Sequence, residues 1–309
     1  MSVVNRATDP AFGYRPRAPF PRARDGFEAL MRAAGIGEGD TVLMPAYIGW
    51  SAREGSGVHD PVVAVGATAS FARVDRRLRV DLDDYRAKLA MGPKMAVLIH
   101  YFGAPDPAYA EMAAMARAEG IPILEDEAHA LFTDLVAGTT GRLGDAAILS
   151  LHKQLPCLVG GELRINPSAP ASFRAALEAG IRAEGAPDPA DYDLDLIAAR
   201  RRENFAALHA ALWDRPGFHP VWEGVPLGVV PQTYPIVVEN ADRDALYHRF
   251  NAEGWGGTSL YHTMIPEIAA DEFPDSHWLA RRIFNLPVHQ DATPDDMRAM
   301  ADALVALLS

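Results

Sequence analysis

Two short apolar runs constrain this chain more than any other feature. Ile121–Leu124 and Ala146–Leu149 each have the length of a buried strand, and each breaks off into reactive side chains. The first runs into Glu125-Asp126-Glu127-Ala128-His129, the second into Ser150-Leu151-His152-Lys153. Runs of this length, fed by helix-like segments, suit parallel strands covered on both faces. In open α/β sheets ligands bind just beyond the carboxyl ends of such strands. Asp126 and His129 are therefore expected at one strand end, Ser150 and Lys153 at another. An acid beside a lysine in a mostly apolar layer suits a cofactor with a basic ring nitrogen and an aldehyde. Pyridoxal 5'-phosphate has both.

Composition narrows the class. The 309 residues predict one large domain or two smaller ones, and 49% apolar with 23% charged residues fits a globular protein. No stretch approaches the roughly 20 uninterrupted apolar residues of a membrane span. Met1–Arg17 lacks the apolar core of a secretory signal. A formal charge of -12 argues against nucleic acid as a partner. Cys157 is the only cysteine. An intrachain disulfide is thus excluded, a reducing cytoplasm is expected, and Cys157 reads as a small packed residue rather than a nucleophile.

Along the chain, residues 1–22 are rich in Pro and Arg and read as an extended arm lying on the body or on a partner subunit. Asp25-Gly26-Phe27 is expected to open a short helix ending near Gly35. The free N–H groups of such a turn form an anion site, although the same residues also suit an ordinary capped helix. Thr41–Met44 predicts a strand running into Tyr47 and Trp50. Arg53–Gly57 reads as a glycine-rich loop at the edge of a site. Met95–Ile99, helix Ala108–Ala118 and Ile121–Leu124 form a βαβ unit, and Glu162–Ile165 is a further strand. Residues 167–195, broken by four prolines, give no readable pattern. Leu196–Leu212 predicts a helix carrying Arg200-Arg201-Arg202. Thr233–Val238, helix Arg243–Ala252, strands at Trp255–Leu260 and Arg281–His289, and helix Pro294–Leu308 then suggest a small α+β domain.

The run Glu125-Asp126-Glu127-Ala128-His129, with Gly144-Asp145-Ala146, Ser150, Lys153 and Gly160-Gly161, resembles the DegT/DnrJ/EryC1/StrS sugar aminotransferases. Ser150-Leu151-His152-Lys153-Gln154-Leu155-Pro156 is similar to a compact Ser-Leu-x-Lys-x-Leu-Pro subgroup. Tyr261-His262 and Leu286-Pro287-Val288-His289 look like the family's C-terminal signature. The resemblance implies an α/β fold of fold-type I, with a large cofactor-binding domain over residues 1–205 and a small C-terminal domain over 206–309. It implies pyridoxal 5'-phosphate held covalently by Lys153, with Asp126 on the ring nitrogen and His129 on the ring or its 3-hydroxyl. It places the phosphate on Ser150 and the Gly26 and Phe27 turn, with Tyr47 or Trp50 stacking nearby. A homodimer is implied as well. The family's Asn-Tyr-Arg loop, which reaches the neighbouring subunit's cofactor, has no counterpart here; Arg174 or Arg182 are the substitutes on offer.

The implied reaction moves an amino group from an amino-acid donor, glutamate, to a nucleotide-linked keto-sugar. Two alternatives stand beside it. One is a dehydratase outcome, against which Lys153 argues because such relatives carry histidine there. The other is a cofactor-binding regulator without turnover. Asp126-Glu127-Ala128-His129 also spells a helicase box, but no phosphate loop accompanies it. A metal site on Asp126, His129 and His152 is opposed by the lysine charge beside them. No Gly-x-Ser-x-Gly elbow supports hydrolase chemistry.

Overall fold

The computed structural model describes residues 15–308. In chain order the first part carries β1 (Arg17–Phe20), α1 (Ala23–Ala33), β2 (Thr41–Pro45), α2 (His59–Ala64), β3 (Thr68–Ala72), α3 (Leu82–Leu89), β4 (Met95–Ile99), α4 (Tyr109–Ala118), β5 (Ile123–Asp126), β6 (Ala146–Ser150) and β7 (Gly161–Ile165). They build one seven-stranded sheet in the order β1-β7-β6-β5-β4-β2-β3. From β3 to β6 all neighbours run parallel; β7 turns back against β6, and β1 lies antiparallel on β7. The central strands β4, β5 and β6 are buried at every residue, as strands covered by helices on both faces must be.

Of the arm expected over residues 1–22, residues 1–14 lie outside the described residues, and Arg17–Phe20 lies on the body as an extended edge strand paired with β7. The strand expected at Ile121–Leu124 is shifted. Gly120, at φ 67°, and Ile121 close off α4, so pairing with β4 starts only at Ile123 and carries Asp126 into the strand's last position.

The unreadable segment contains a run of 3-10 helix, Ala171–Ala179, which packs Phe173 and Ala176 into the core. Next comes α5 (Leu194–Leu212), capped by the Asp193 carboxylate. The second part holds β8 (Phe218–Pro220), β9 (Thr233–Val238), α6 (Arg243–Ala252), α7 (Pro274–Ala280), β10 (Ile283–Pro287) and α8 (Pro294–Leu308). Its sheet has three strands in the order β10-β9-β8. The strand expected at Trp255–Leu260 is absent: Thr258 alone bridges to Asn285. Gly257 explains this, since its backbone lies so close to Phe284 that a Cβ would sit 2.4 Å from the ring. Of the three arginines on α5, Arg201 is buried. It donates to the Gln232 carbonyl at 3.1 Å and the Gln154 carbonyl at 3.5 Å, joining the second part of the chain to the loop after β6.

Candidate active site

Parallel pairing places the ends of β5 and β6 side by side, so the residues just past them share one space. After β5 the chain turns sharply because Asp126 Oδ1 accepts the Ala128 N–H at 2.9 Å. That turn delivers His129. After β6 a single 3-10 turn, Leu151–Lys153, delivers the lysine. Lys153 Nζ lies 3.2 Å from His129 Nε2. Asp126, His129, Ser150, His152 and Lys153 line a cleft of about 510 Å³.

The charges in this cleft are shaped by burial. Lys153 opens to the solvent of the cleft, but the enclosing walls strip its ammonium of hydration and lower its pKa. Asp126 and Glu54 oppose the drop and Arg24 adds to it. His129 is held well below the usual histidine range by burial first and by the lysine's charge second, so it is neutral at physiological pH. Burial raises Asp126 above the usual carboxylate range; Lys153, the Ala128 N–H and His100 pull it back. The Gln154 side-chain amide donates to the His129 carbonyl, and Phe102 and Tyr261 pack against the imidazole ring.

Ser150 lines the cleft with its Oγ 3.4 Å from His152 Nδ1, and Trp50 stands on the rim, 42% exposed. Tyr47 lies one layer below, fully buried against the rings of Tyr101 and Tyr261. Gly26 and Phe27 are not among the residues lining the cleft. Arg22 caps α1 by bonding Asp25 through its backbone N–H at 2.9 Å and its guanidinium, so the helix starts at Ala23, earlier than expected. Gly26 therefore packs against Phe20, Phe27 enters the core, and Ala23 and Arg24 lie at the cleft instead. Arg174 and Arg182 do not line it either; Arg182 bonds Asp188 and the Ala186 carbonyl.

Two contributors were not singled out from sequence as site residues. Arg24 donates to the Glu54 carbonyl at 2.6 Å and borders the cleft; its signal was the arginine pair flanking Ala23. Tyr261 reaches in from the second part of the chain with φ 60°. It fits because Gly49 lacks a side chain: a Cβ there would lie 2.7 Å from the Tyr261 ring.

Behind β5 lies a second polar group, facing away from the cleft. Glu125 accepts from His100 Nε2 at 2.9 Å, Tyr109 at 2.5 Å, Gly141 N–H at 2.7 Å and Gly144 N–H at 2.6 Å. Burial pushes Glu125 up, but these bonds outweigh it and its pKa ends below the ordinary value. Glu127, bonded by Thr140 at 2.9 Å, is raised well above its ordinary value by burial and then by Asp134 and Glu125. Atoms of His100, Glu125 and Glu127 lie within 4.8 Å of one another, a metal-like grouping. The donors already converging on Glu125 would oppose a cation there.

Residues 22–168 and 192–305 match the DegT/DnrJ/EryC1/StrS aminotransferase family. The chain belongs to this family. It is a pyridoxal 5'-phosphate-dependent aminotransferase with the fold-type I architecture. The interval between the two matched segments falls in the part of the sequence that gave no readable pattern. Among solved structures, the aminotransferase TlmJ from Streptoalloteichus hindustanus superposes with a TM-score of 0.74 at 22% identity, covering 94% of this chain and 85% of that one. DesI, solved in the presence of its TDP-sugar product, gives 0.76 at 22%, covering 95% and 81%. DesV from S. venezuelae, in complex with a ketimine intermediate, gives 0.74 at 19%, covering 95% and 85%. The donor set fits the family's cofactor: an amine, a buried carboxylate and a neutral imidazole border one cleft, and Arg24 offers a cation for the phosphate.

Proposed function

We infer that this aminotransferase takes its amino group from an amino acid, glutamate, and delivers it to the carbonyl of a nucleotide-linked keto-sugar. The cleft carries the reading: Lys153, Asp126 and His129 meet at its floor while Arg22, Arg24, Arg53, Trp50 and His262 line it. Bound there, the cofactor supplies an electron-withdrawing ring that stabilises negative charge at the substrate carbon. Lys153 Nζ takes the proton from the donor's Cα and later returns one to the acceptor's carbon. Asp126 holds the positive charge of a ring nitrogen in a layer where water cannot. His129 packs at the same level, braced by Phe102 and Tyr261. Ser150 and the start of α1 orient the phosphate by hydrogen bonding. The cationic groups on the cleft suit a donor's carboxylates and an acceptor's diphosphate, and DesI offers the precedent of a TDP-sugar.

Adding glutamate to the yellow protein should bleach its visible band, and a nucleotide-linked keto-sugar should restore it with release of an amino sugar. Bleaching by glutamate without recovery on any nucleotide-linked keto-sugar would remove the acceptor class. We infer further that the protein works in the cytoplasm as a homodimer with sites near the subunit interface; a monomer by light scattering at working concentration would refute the dimer.

A further inference from the structure

Phe102 is held in a conformation that its side chain disfavours. Its backbone sits in the left-handed region, at φ 56° and ψ 16°, which strains a residue that carries a side chain. Its surroundings hold it there. The Phe102 carbonyl accepts the Gln232 N–H at 2.7 Å. The next carbonyl, of Gly103, accepts from Thr133 Oγ1 at 2.7 Å. Gly103 itself, at φ 104°, lies where a Cβ would meet the Val230 carbonyl at 2.6 Å. In this pose the Phe102 N–H points at His129 Nδ1, 3.3 Å away, and the Phe102 ring stacks on the imidazole at 5.9 Å and 19°.

The hydrogen bonds then determine each other. An amide N–H can only donate, so His129 Nδ1 presents a lone pair. The imidazole is neutral, which leaves its one proton on Nε2, and Nε2 lies 3.2 Å from Lys153 Nζ. An ammonium has only donors and would set N–H against N–H, whereas a free amine accepts. We propose that Phe102 is a positioning residue: its strained backbone fixes His129 in the Nε2–H tautomer, and that N–H binds the lone pair of Lys153, so that an incoming aldehyde meets an amine rather than an ammonium. Condensation then joins nitrogen to the carbonyl carbon, and the carbonyl oxygen leaves with both amine hydrogens as water. The remaining groups around Lys153 divide: Asp126 and Glu54 favour its charged form, while burial and Arg24 disfavour it. His152, held below the ordinary histidine value by burial and then by Lys153, adds no charge at neutral pH.

The test uses the full chain freed of cofactor and labelled with ¹⁵N-histidine. Long-range ¹H–¹⁵N correlation at neutral pH should show His129 with a protonated Nε2 and a bare Nδ1, the signal being assigned by its loss in His129→Gln. The opposite tautomer, or an imidazolium, overturns the proposal. A second measurement traps pyridoxal without its phosphate on Lys153 by borohydride across a pH series and counts the adduct by mass spectrometry. Phe102→Gly relaxes the backbone and removes the stacked ring. Its trapping midpoint should move alkaline by about one pH unit, slowing capture about tenfold at neutral pH, while adducts on Lys88 and Lys94 stay constant. An unchanged tautomer and midpoint in this variant would reduce Phe102 to packing and overturn its positioning role. Neither readout involves amino transfer, so failure here is distinct from failure of the proposed acceptor.

Discussion

The two sides of β5 handle neighbouring carboxylates in opposite ways. Glu125, on the rear side, is met by His100, Tyr109 and two backbone N–H groups, so its demand for donors is filled by its own chain. Asp126, on the cleft side, has the Ala128 N–H as its hydrogen-bond donor and looks across at Lys153 without a direct bond to it. Strand alternation sends adjacent side chains to opposite faces, so one residue of offset separates a satisfied structural carboxylate from one left incomplete. The incomplete one is where a ligand's positive charge can complete the set. Satisfied networks rigidify a core; partly satisfied ones are where chemistry is placed.

Lys153→Ala should break the cleft side most completely: no visible band, no borohydride-fixed adduct at position 153, and no turnover, with the melting temperature of the free protein little changed. An adduct forming instead on Lys88 or Lys94 in the wild type would refute the assignment. Asp126→Asn should keep the fold and still take up cofactor, yet lose turnover by on the order of 10²-fold or more, as expected when a buried charge facing the reacting group is removed. Near-normal turnover would erase the distinction between the two sides. Glu125→Gln tests the rear side. Its amide N–H₂ would face groups that themselves donate, costing about 3 kcal/mol of stability, read by denaturant unfolding, while the folded fraction keeps its activity.

Glu127→Gln should have the smallest effect, and its sign depends on pH. The folded protein holds the Glu127 proton more tightly than the unfolded chain does, because burial and the neighbouring acids raise its pKa. The native state therefore binds more protons between the unfolded and folded values, and stability falls as pH rises through that window. Glutamine cannot ionise, so the variant should match the wild type in acid and exceed it by on the order of 1 kcal/mol at alkaline pH. A pH-independent difference in melting temperature would show that Glu127 is not held protonated.

Much of this arrangement was legible from residues alone. The apolar runs before Asp126 and Ser150 announce buried strands, and their abrupt polar endings mark the strand ends that meet in the cleft. Helix α8 is found at Pro294–Leu308 because Thr293 and Pro294 are local start signals. Local signals failed where a neighbouring side chain competes with them or where long-range contact decides. Asp25-Gly26-Phe27 looked like the opening of α1, but the Arg22 guanidinium pairs with Asp25 and moves the start upstream. Trp255–Leu260 has strand-like composition, yet Phe250 and Phe284 crowd Gly257 and leave a single bridge. Tyr261 could not be placed in the cleft from sequence, because its approach depends on Gly49, over two hundred residues away in the chain.

The position of β1 bears on how such a chain is assembled during synthesis. Its partner β7 lies far downstream: Arg17 reaches Glu162 across 145 residues of sequence. Loop closure over such a distance is slow compared with the local pairing of β2 with β3. The sheet therefore grows outward from β2 and β3, adding β4, β5 and β6 as each emerges, while β1 waits unpaired. Only when β7 leaves the ribosome can it zip between β6 and β1, and the same event fixes the lysine loop, because the Gly160 N–H binds the Pro21 carbonyl. A nascent chain halted before Gly161 would display β6 as a bare edge, apolar from Ala146 to Leu149, the kind of surface that recruits another unfinished chain or a chaperone. The strand that enters first is the one that seals the sheet last.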